Sequence, residues 1–425
     1  MVCVILFVVF LGFLLLGTPI SLAMGMGTMG AALSGGYDLS ALPMLISGGS
    51  SNYTLVAIPY FVLLGNLMNM SGITDRIFDF ADACVGHLKG GLAQVNVLAS
   101  VIFAGISGTS TADAAGLGLV EIRAMEKKGY PLDFSVAITM ASSVLGPIIP
   151  PSVTLLIFAS ITSTSVAQLF IAGLFPGILV AIALCITNYV LYITKAVKMP
   201  TPSKFVFHNI LHTGKVGFFA LCCPLLLLAV MMSGVVTPTE AGIIGVLYSL
   251  FVGIVYKEIT VKRLVKALVD TVYSCAIIMF LIGMGTAVGW FLTAERIPQM
   301  ISEILFSVTS NKIILLILIN LVLLVLGMFM DGTTIQLIMV PILFPIMTAL
   351  GVSPLQFGVM MTINILIGTI TPPFGVGLFI MSAISGLSIP KIFKAALPFF
   401  IPLLAALICI TYIPWFTTWL PGLLK

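Results

Sequence analysis

The segments GPIIPP, residues 146–151, and GTITPP, residues 368–373, decide the fold of this chain. Each ends in a Pro-Pro pair within apolar sequence. A proline pair cannot continue a helix, because each ring removes a backbone N–H donor and clashes with the preceding turn. One segment lies in the first half of the chain and the other in the second, so the same break occurs twice. We therefore predict two broken helices, over residues 133–168 and 357–386, as parts of an internal repeat.

A second sequence match places these breaks within two homologous halves. YPLDFSVAIT, which begins at Tyr130, aligns with SPLQFGVMMT, which begins at Ser353 and precedes the second break at almost the same distance. We predict that residues 1–193 and 216–420 are two copies of one unit. A Lys-rich cytoplasmic linker over 194–215 would join them.

The composition indicates an integral membrane protein. Hydrophobic residues make up 60% of the 425 residues and charged residues only 8%, whereas soluble domains carry about 25% charged residues. Apolar runs of helical length recur along the whole chain, so the spans form the fold and the lipid bilayer is its solvent. The net charge of +4 does not indicate nucleic acid binding, because the basic residues cluster between the spans.

Each half is predicted to contain five crossings and one re-entrant hairpin. The crossings lie near 2–16, 18–34, 54–72, 133–168 and 171–193 in the first half, and near 216–233, 239–256, 270–294, 357–386 and 396–417 in the second. The hairpins cover 90–126 and 312–350. Because five is odd, the halves would insert with opposite orientation as inverted repeats. The predicted fold class is therefore an all-α polytopic membrane protein.

The distribution of basic residues supports this count. If both termini lie outside, fifteen of the eighteen Lys and Arg residues fall on the cytoplasmic side, and only Arg296, Lys312 and Lys425 fall outside. The positive-inside rule requires such a bias. Counting either hairpin as a single crossing would mix the two sets. We therefore predict that the first hairpin opens to the cytoplasm and the second to the outside.

Four polar patches interrupt the apolar sequence, two at the hairpin tips and two at the breaks. They are SGTSTAD (107–113), GPIIPPSVT (146–154), MDGTT (330–334) and GTITPP (368–373). Broken helices expose backbone N–H and C=O groups, which survive in a membrane only inside protein or beside a wet cavity. Such oxygens suit a hard monovalent cation, and helix N-termini suit an anion. The pattern indicates an ion-coupled secondary transporter, although simple helix kinks would use the same residue types.

Asp113 and Asp331 are the acidic residues inside the hairpin tips. An ionisable group in a membrane is costly, so each indicates a functional position. Each can also cap the N-terminus of a half-helix. We interpret Asp113 as structural support for a cation site. Asp331 is interpreted as the more direct contributor, through its side chain or by holding the loop.

The sequence does not favour an enzyme. GISG (105–108) matches the G-x-S-G motif of intramembrane serine proteases, but a serine nucleophile needs a base nearby. The three histidines, His87, His208 and His212, lie in polar connections. The sequence also has no G-x-x-x-x-G-K-[ST] phosphate loop, so ATP would not drive this chain directly. The energy would come from an ion gradient, or the chain would be an ion or solute channel built on inverted repeats.

Four motifs point to a known family: AGISGTSTADAAGLG, GPIIPPS, MFMDGTT and GTITPPFGVGLF. Together they resemble the large membrane (M) subunit of TRAP transporters, the tripartite ATP-independent periplasmic carriers. The resemblance implies sodium-coupled import of an organic acid, of the sialic acid or C4-dicarboxylate class. It implies an elevator mechanism, with a scaffold and a transport domain, in the bacterial inner membrane. The implied partners are a periplasmic substrate-binding protein and a small four-span (Q) membrane subunit, which we expect as a separate chain.

The resemblance also implies two sodium sites, each between a hairpin tip and a break. The first would be formed by Ser107, Thr109, Ser110, Gly146 and Pro150, and the second by Gly327, Asp331, Thr333, Gly368 and Thr371. The substrate would lie between the tips, on Ser107, Thr154 and Thr334, with Asp113, Pro151, Pro372 and Pro373 as structural support. The four patches contain no Arg or Lys, so backbone N–H groups, hydroxyls and sodium are expected to hold the carboxylate.

Overall fold

The computed structural model describes residues 2–232, 235–309 and 311–423, with only the backbone described at residues 106, 107, 111, 112, 115 and 308. All regular secondary structure in these ranges is helical. The first helices are α1 (Val2–Leu15), α2 (Ile20–Gly35), α3 (Ala41–Ser50), α4 (Ala57–Met70), α5 (Ile73–Val85), α6 (Leu92–Ser107), α7 (Ser110–Ala115), α8 (Leu117–Lys127), α9 (Leu132–Ser142), α10 (Val153–Thr162), α11 (Val166–Ile193) and α12 (Phe207–Val216). They are followed by α13 (Phe218–Met232), α14 (Pro238–Val255), α15 (Val261–Ala294), α16 (Ile297–Val308), α17 (Lys312–Phe329), α18 (Gly332–Ala349), α19 (Pro354–Thr369), α20 (Val376–Ser385), α21 (Ile389–Tyr412) and α22 (Trp415–Leu423). Short 3-10 segments, Tyr53–Val56 and Ser143–Leu145, precede α4 and follow α9.

Seven helical segments in the described ranges are long and apolar enough to cross a membrane. They are Tyr53–Met70, Val166–Ile193, Pro238–Val255, Val261–Ala294, Lys312–Phe329, Gly332–Ala349 and Ile389–Tyr412. Helices α12 and α13 meet at 73° and add an eighth if this bent pair is one span. The chain is therefore an all-α polytopic membrane protein, as predicted.

The predicted crossings coincide with helices, but some boundaries differ. Five of the seven long segments fall on predicted crossings, and the other two, α17 and α18, are the arms of the predicted second hairpin. The crossing predicted at 216–233 contains α13 of the bent pair, and the remaining predicted crossings contain apolar helices of 10–17 residues. Helix α10 ends at Thr162 and α11 begins at Val166, so the predicted boundaries at 168 and 171 are too late.

The start of α15 shows why hydropathy misplaces such boundaries. The helix begins at Val261, well before the predicted span at 270–294. Its first turns contain Lys262, Arg263 and Lys266, which lower the local hydropathy. The hydroxyl of Thr260 nevertheless accepts the Arg263 N–H at 3.3 Å and caps the helix. Hydropathy marks the apolar part of the span, whereas the cap marks where the helix begins.

Five short helices, α3, α5, α12, α16 and α22, are absent from the predicted organisation. Helix α5 illustrates the reason, since it buries Ile73, Ile77 and Ala81 on one face and carries Asp75 in its first turn. Such an amphipathic helix is too polar to be detected as a span. Helix α12 likewise begins within the predicted linker, 194–215.

Small residues allow the long helices to approach closely. A Cβ at Gly242 of α14 would lie 2.8 Å from the Cβ of Tyr60 in α4. A Cβ at Gly285 of α15 would lie 2.7 Å from the Cβ of Leu337 in α18. Small residues at such contacts are typical of helix packing in membranes, where close van der Waals contact drives association. Helix α15 packs on α2, α3, α4 and α18, whereas α9, α11 and α19 pack on α21.

Candidate ion and substrate site

A cavity of about 240 Å³ lies where both hairpin tips and both helix breaks meet. Thr109 and Ser110 of the first tip line it, as do Asp331 and Thr333 of the second. The segments around the breaks contribute Ser143, Pro147, Val153, Thr154, Thr369, Val376 and Gly377. The structure therefore brings four polar patches, which are far apart in sequence, to one cavity.

Backbone contacts join the first tip to the first break. Gly108 ends α6 with a φ of 64°, and its carbonyl oxygen accepts the N–H of Val153 at 3.2 Å. A Cβ at residue 108 would lie 2.8 Å from the carbonyl oxygen of Pro151. Glycine fits here because it tolerates positive φ and leaves room for the break. Pro151, predicted as structural support, lies at this contact.

Asp113 lies over Gly146. Its side chain is 2% exposed, and a Cβ added to Gly146 would clash with its Oδ2 atom. That same Cβ would lie 3.1 Å from the carbonyl oxygen of Thr109. The N–H of Asp113 in turn donates to the Thr109 carbonyl at 3.2 Å. Asp113 is thus positioned to hold the tip against the break. Two oxygen atoms, one from its carboxylate and one from the Thr109 carbonyl, converge on Gly146.

The rest of the predicted first site lies around the same break. The side chain of Ser107 falls outside the described part of the chain, although α6 ends at this residue. The carbonyl oxygen of Pro150 lies 3.6 Å from a Cβ built on Gly105, so it faces α6. Ser152 caps α10 by accepting the N–H of Leu155 at 3.1 Å. Thr154, in the first turn of α10, lines the cavity, which places the positive end of that helix there.

At the second tip, Asp331 caps α18. Its carboxylate accepts the N–H groups of Thr333 at 3.0 Å and Thr334 at 3.2 Å. The hydroxyl of Thr334 donates to the other carboxylate oxygen. Thr334, predicted as a substrate ligand, is fully buried, and its hydroxyl is turned towards Asp331. Asp331 and Thr333 line the cavity, so the cap and the cavity share one carboxylate.

The second break packs on the second tip through glycine. A Cβ on Gly327 would lie 2.8 Å from the Cα of Gly368, and the N–H of Gly375 donates to the Met328 carbonyl at 2.9 Å. The hydroxyl of Thr371 donates to the Ile367 carbonyl at 2.7 Å, within its own segment. The peptide bond between Pro372 and Pro373 is cis, as is the bond between Pro150 and Pro151 in the first break.

The polar atoms around the cavity are mainly oxygens. Thr109, Ser110, Thr154 and Thr333 offer hydroxyls, and Asp331 offers the carboxylate on the wall. Within residues 2–232, 235–309 and 311–423, no group of three or more His, Cys, Asp or Glu side chains could hold a metal ion. Hydroxyl, carbonyl and carboxylate oxygens suit a hard cation and do not suit a soft one. The oxygen ligands around the cavity therefore suit a hard cation.

A buried polar network, which the sequence did not predict, lies behind the first break. The side-chain amide of Asn96 donates to Glu121 at 2.8 Å and to Thr139 at 2.7 Å. Its carbonyl oxygen accepts the hydroxyl of Ser142 at 2.7 Å. All four side chains are at most 1% exposed. Glu121 stands shortly before Arg123, so the sequence makes it look like a solvated residue. Asn96, within a mainly apolar stretch, could have indicated a buried polar contact.

The second half contains a comparable network of amides. The amide of Asn364 donates to the side-chain oxygen of Asn320 at 2.6 Å, and that of Asn320 donates to Thr411 at 3.2 Å. Asn364 precedes the glycine of the second break by the same distance in sequence as Ser142 precedes that of the first. Buried hydrogen bonds of this kind orient helices, because an unpaired amide in an apolar interior is costly.

This chain is similar in sequence to known proteins. A family model described as "Tripartite ATP-independent periplasmic transporter, DctM component" matches residues 7–416. The sialic acid TRAP transporter large permease protein of Vibrio cholerae is 38% identical over 417 residues, which cover 97% of each chain. The C4-dicarboxylate TRAP transporter large permease protein of Pseudomonas aeruginosa is 38% identical over 374 residues, 88% of this chain and 87% of the relative.

A solved structure shares the fold. The YdaH transporter of Alcanivorax borkumensis matches with a TM-score of 0.66 and 15% sequence identity, and the match covers 90% of each chain. At this identity the similarity concerns the fold alone. The family assignment rests on the sequence match, which spans nearly the whole chain. The chain belongs to the DctM family, the large-permease component of the tripartite ATP-independent periplasmic (TRAP) transporters.

Proposed function

We propose that this chain imports an organic acid across the bacterial inner membrane, driven by inward movement of sodium. The observation that supports this most is the single cavity at which two hairpin tips and two helix breaks meet. In secondary transporters, half-helix termini and unwound backbone of this kind bind substrate and coupling ions. The relatives are named as transporter permeases and not as enzymes, which agrees with a transport role.

The proposed substrate is a carboxylate of the sialic acid or C4-dicarboxylate class, the two classes in the names of the relatives above. The described residues that line the cavity include no Lys or Arg. The N-termini of α10, α18 and α20 reach the cavity, since its lining includes Thr154, Gly332 and Val376. The positive dipole ends of these helices favour an anion. The hydroxyls of Thr154 and Thr333 would add hydrogen bonds to the same carboxylate.

The proposed sodium sites flank this space. At the first, carbonyl and side-chain oxygens from Thr109 and Asp113 converge on Gly146. At the second, Asp331 and Thr333 stand at the cavity wall beside the packed pair Gly327 and Gly368. Sodium bound at either site would place positive charge next to the substrate carboxylate and hold a tip against its break. Each ion would thereby raise the affinity for the anion, and the anion would raise the affinity for sodium by the same factor.

The proposed movement is an elevator step of the hairpins and broken helices relative to α15. Ile278 of α15 lines the cavity, so the cavity borders a helix that belongs to neither the tips nor the breaks. An apolar contact of this kind can slide without breaking hydrogen bonds. We further propose that a small four-span subunit and a periplasmic binding protein complete the transporter, and that both termini face the periplasm.

The function can be tested in proteoliposomes that contain this chain, a small membrane subunit and a sialic acid or C4-dicarboxylate binding protein. We expect accumulation of the labelled acid only with an inward sodium gradient. Thr333→Val and Ser110→Ala should slow uptake, because each removes a hydroxyl from the cavity. Thr348→Val is the matched control, since its exposed hydroxyl bonds only to the Phe344 carbonyl within α18.

Two outcomes would contradict the proposal. Equal uptake with potassium in place of sodium would remove the sodium coupling. Substrate-independent single-channel currents from the chain in a planar bilayer would indicate a channel instead. Normal expression and melting of each variant, compared with Thr348→Val, would separate a transport defect from misfolding.

A further inference from the structure

A groove of about 720 Å³ opens on the surface between α6 and α11. Its walls are apolar side chains, including Val97, Val101 and Ile178. The α11 side of the groove is also open to the surroundings, because Ile182 is 53% exposed and Ile186 is 57% exposed. In a membrane protein, such a surface faces acyl chains.

One end of this groove is polar. Lys89 and Gln94 line it, and the ammonium nitrogen of Lys89 lies 5.6 Å from the ring centre of Tyr189. Gln94 is 5% exposed, and its amide nitrogen donates to the carbonyls of Lys89 and Cys185. Its side-chain oxygen has no hydrogen-bond donor among the described residues. The groove thus ends at a cation and a buried acceptor that needs a donor.

Lys89 is available to bind an anion. The ion pairs in the described ranges are Lys128–Asp82 and Arg263–Glu258, and neither involves Lys89. Its ammonium group stands at the end of a helix-lined apolar groove, where a membrane places lipid headgroups next to acyl chains. A lysine near a membrane surface attracts anionic lipid with about 1 kcal/mol.

The same arrangement occurs a second time. A groove of about 650 Å³ between α17 and α21 is lined by Lys312, Tyr412 and Gln356 together with apolar side chains such as Leu321 and Leu404. The spacing in sequence from Lys312 to Tyr412 equals that from Lys89 to Tyr189, and the internal repeat relates the two pairs. Each half of the chain therefore presents an apolar groove with a lysine and a tyrosine at its end.

We propose that each groove binds one molecule of an anionic phospholipid, phosphatidylglycerol. One acyl chain lies in the apolar groove, and the lipid phosphate pairs with Lys89 in the first groove or Lys312 in the second. In the first groove a glycerol hydroxyl of the headgroup donates to the side-chain oxygen of Gln94. Phosphatidylcholine lacks both the net charge and the hydroxyl, so it fits less well.

Native mass spectrometry of the purified full-length chain, mixed with phosphatidylglycerol in detergent, tests this proposal. We expect up to two retained lipids. Lys89→Gln and Lys312→Gln should each lower the affinity of one site for the lipid about fivefold, and the double variant should lower both. Ile182→Trp should also remove one lipid by filling the first groove from its exposed wall, a change that leaves the core untouched. Lys198→Gln is the matched control, because Lys198 is exposed in the linker.

Three results would overturn the proposal. The first is unchanged retention in Lys89→Gln, Lys312→Gln and Ile182→Trp. The second is equal retention of phosphatidylcholine, which would show that the charge plays no part. Equal retention of soluble glycerol 3-phosphate would likewise show that the apolar groove plays no part. The third concerns the occupant: if a photoreactive amino acid incorporated at position 182 labels a co-purified membrane protein and no lipid, the groove is a protein interface.

Discussion

Gly327 and Gly368 meet backbone to backbone, with a Cβ on Gly327 placed only 2.8 Å from the Cα of Gly368. The contact joins the first arm of the second hairpin to the helix that precedes the second break. In the first half, Gly146 begins GPIIPP as Gly368 begins GTITPP, and it instead faces Asp113 and the Thr109 carbonyl. The two breaks are thus braced differently, one by glycine packing and one by a carboxylate.

Gly368→Ala is expected to destabilise the protein by about 1–3 kcal/mol, because the added methyl group overpacks a backbone contact that cannot move. Gly48→Ala is the control, since nothing lies within 4 Å of a Cβ at that position. Thermal melting in detergent measures both. If the two variants melt at the same temperature, the backbone contact between Gly327 and Gly368 is not tight.

Two substitutions at Asp331 separate its capping role from a charge role. Asp331→Ala should cost about 1 kcal/mol of stability, because the N–H groups of Thr333 and Thr334 lose their acceptor. Asp331→Asn keeps an acceptor oxygen and should retain most of that stability. If the charge binds sodium, Asp331→Asn should raise the sodium concentration needed for half-maximal uptake by about tenfold, which corresponds to about 1.4 kcal/mol. A normal sodium dependence in this variant would limit Asp331 to the cap.

Two buried glutamines should respond in opposite ways to the same change. Gln336 is fully buried, and neither of its side-chain polar atoms has a partner among the described residues. Gln356 is also buried, but its amide donates to the carbonyls of Ile410 at 3.1 Å and Thr411 at 2.8 Å. Gln336→Leu should therefore raise the free energy of unfolding by about 1 kcal/mol, and Gln356→Leu should lower it by a similar amount. Equal melting shifts of the same sign would contradict this.

Asn96→Leu should destabilise the first hairpin by about 2–4 kcal/mol, because it removes hydrogen bonds to Glu121, Thr139 and Ser142 at once and leaves buried polar groups unpaired. Asn209→Leu, at an exposed position of α12, is the control and should change stability little. Hydrogen exchange across α8 and α9 gives a local measurement. Unchanged protection there would show that the network does not hold the hairpin.

Local sequence was sufficient to predict the helix breaks. The Pro-Pro pairs at 150–151 and 372–373 lie between helices, because a ring without an N–H donor acts within one turn and needs no distant partner. The membrane-protein class followed from composition for a similar reason, since hydropathy sums over residues independently of their contacts. The inverted orientation of the halves, and the sides that the hairpins face, stay predictions.

Long-range packing decided what the polar residues contact. Thr334 and Thr333 are neighbours in sequence and look alike there, yet the Thr334 hydroxyl bonds to Asp331 while Thr333 lines the cavity. Asn96 and Glu121 come from different helices, so their pairing depends on how α6 packs beside α8. The sequence by itself determined that the chain is a membrane protein with two broken helices. Only the tertiary structure decided that four patches meet in one cavity, because the patches are far apart in sequence and come together only when the helices pack.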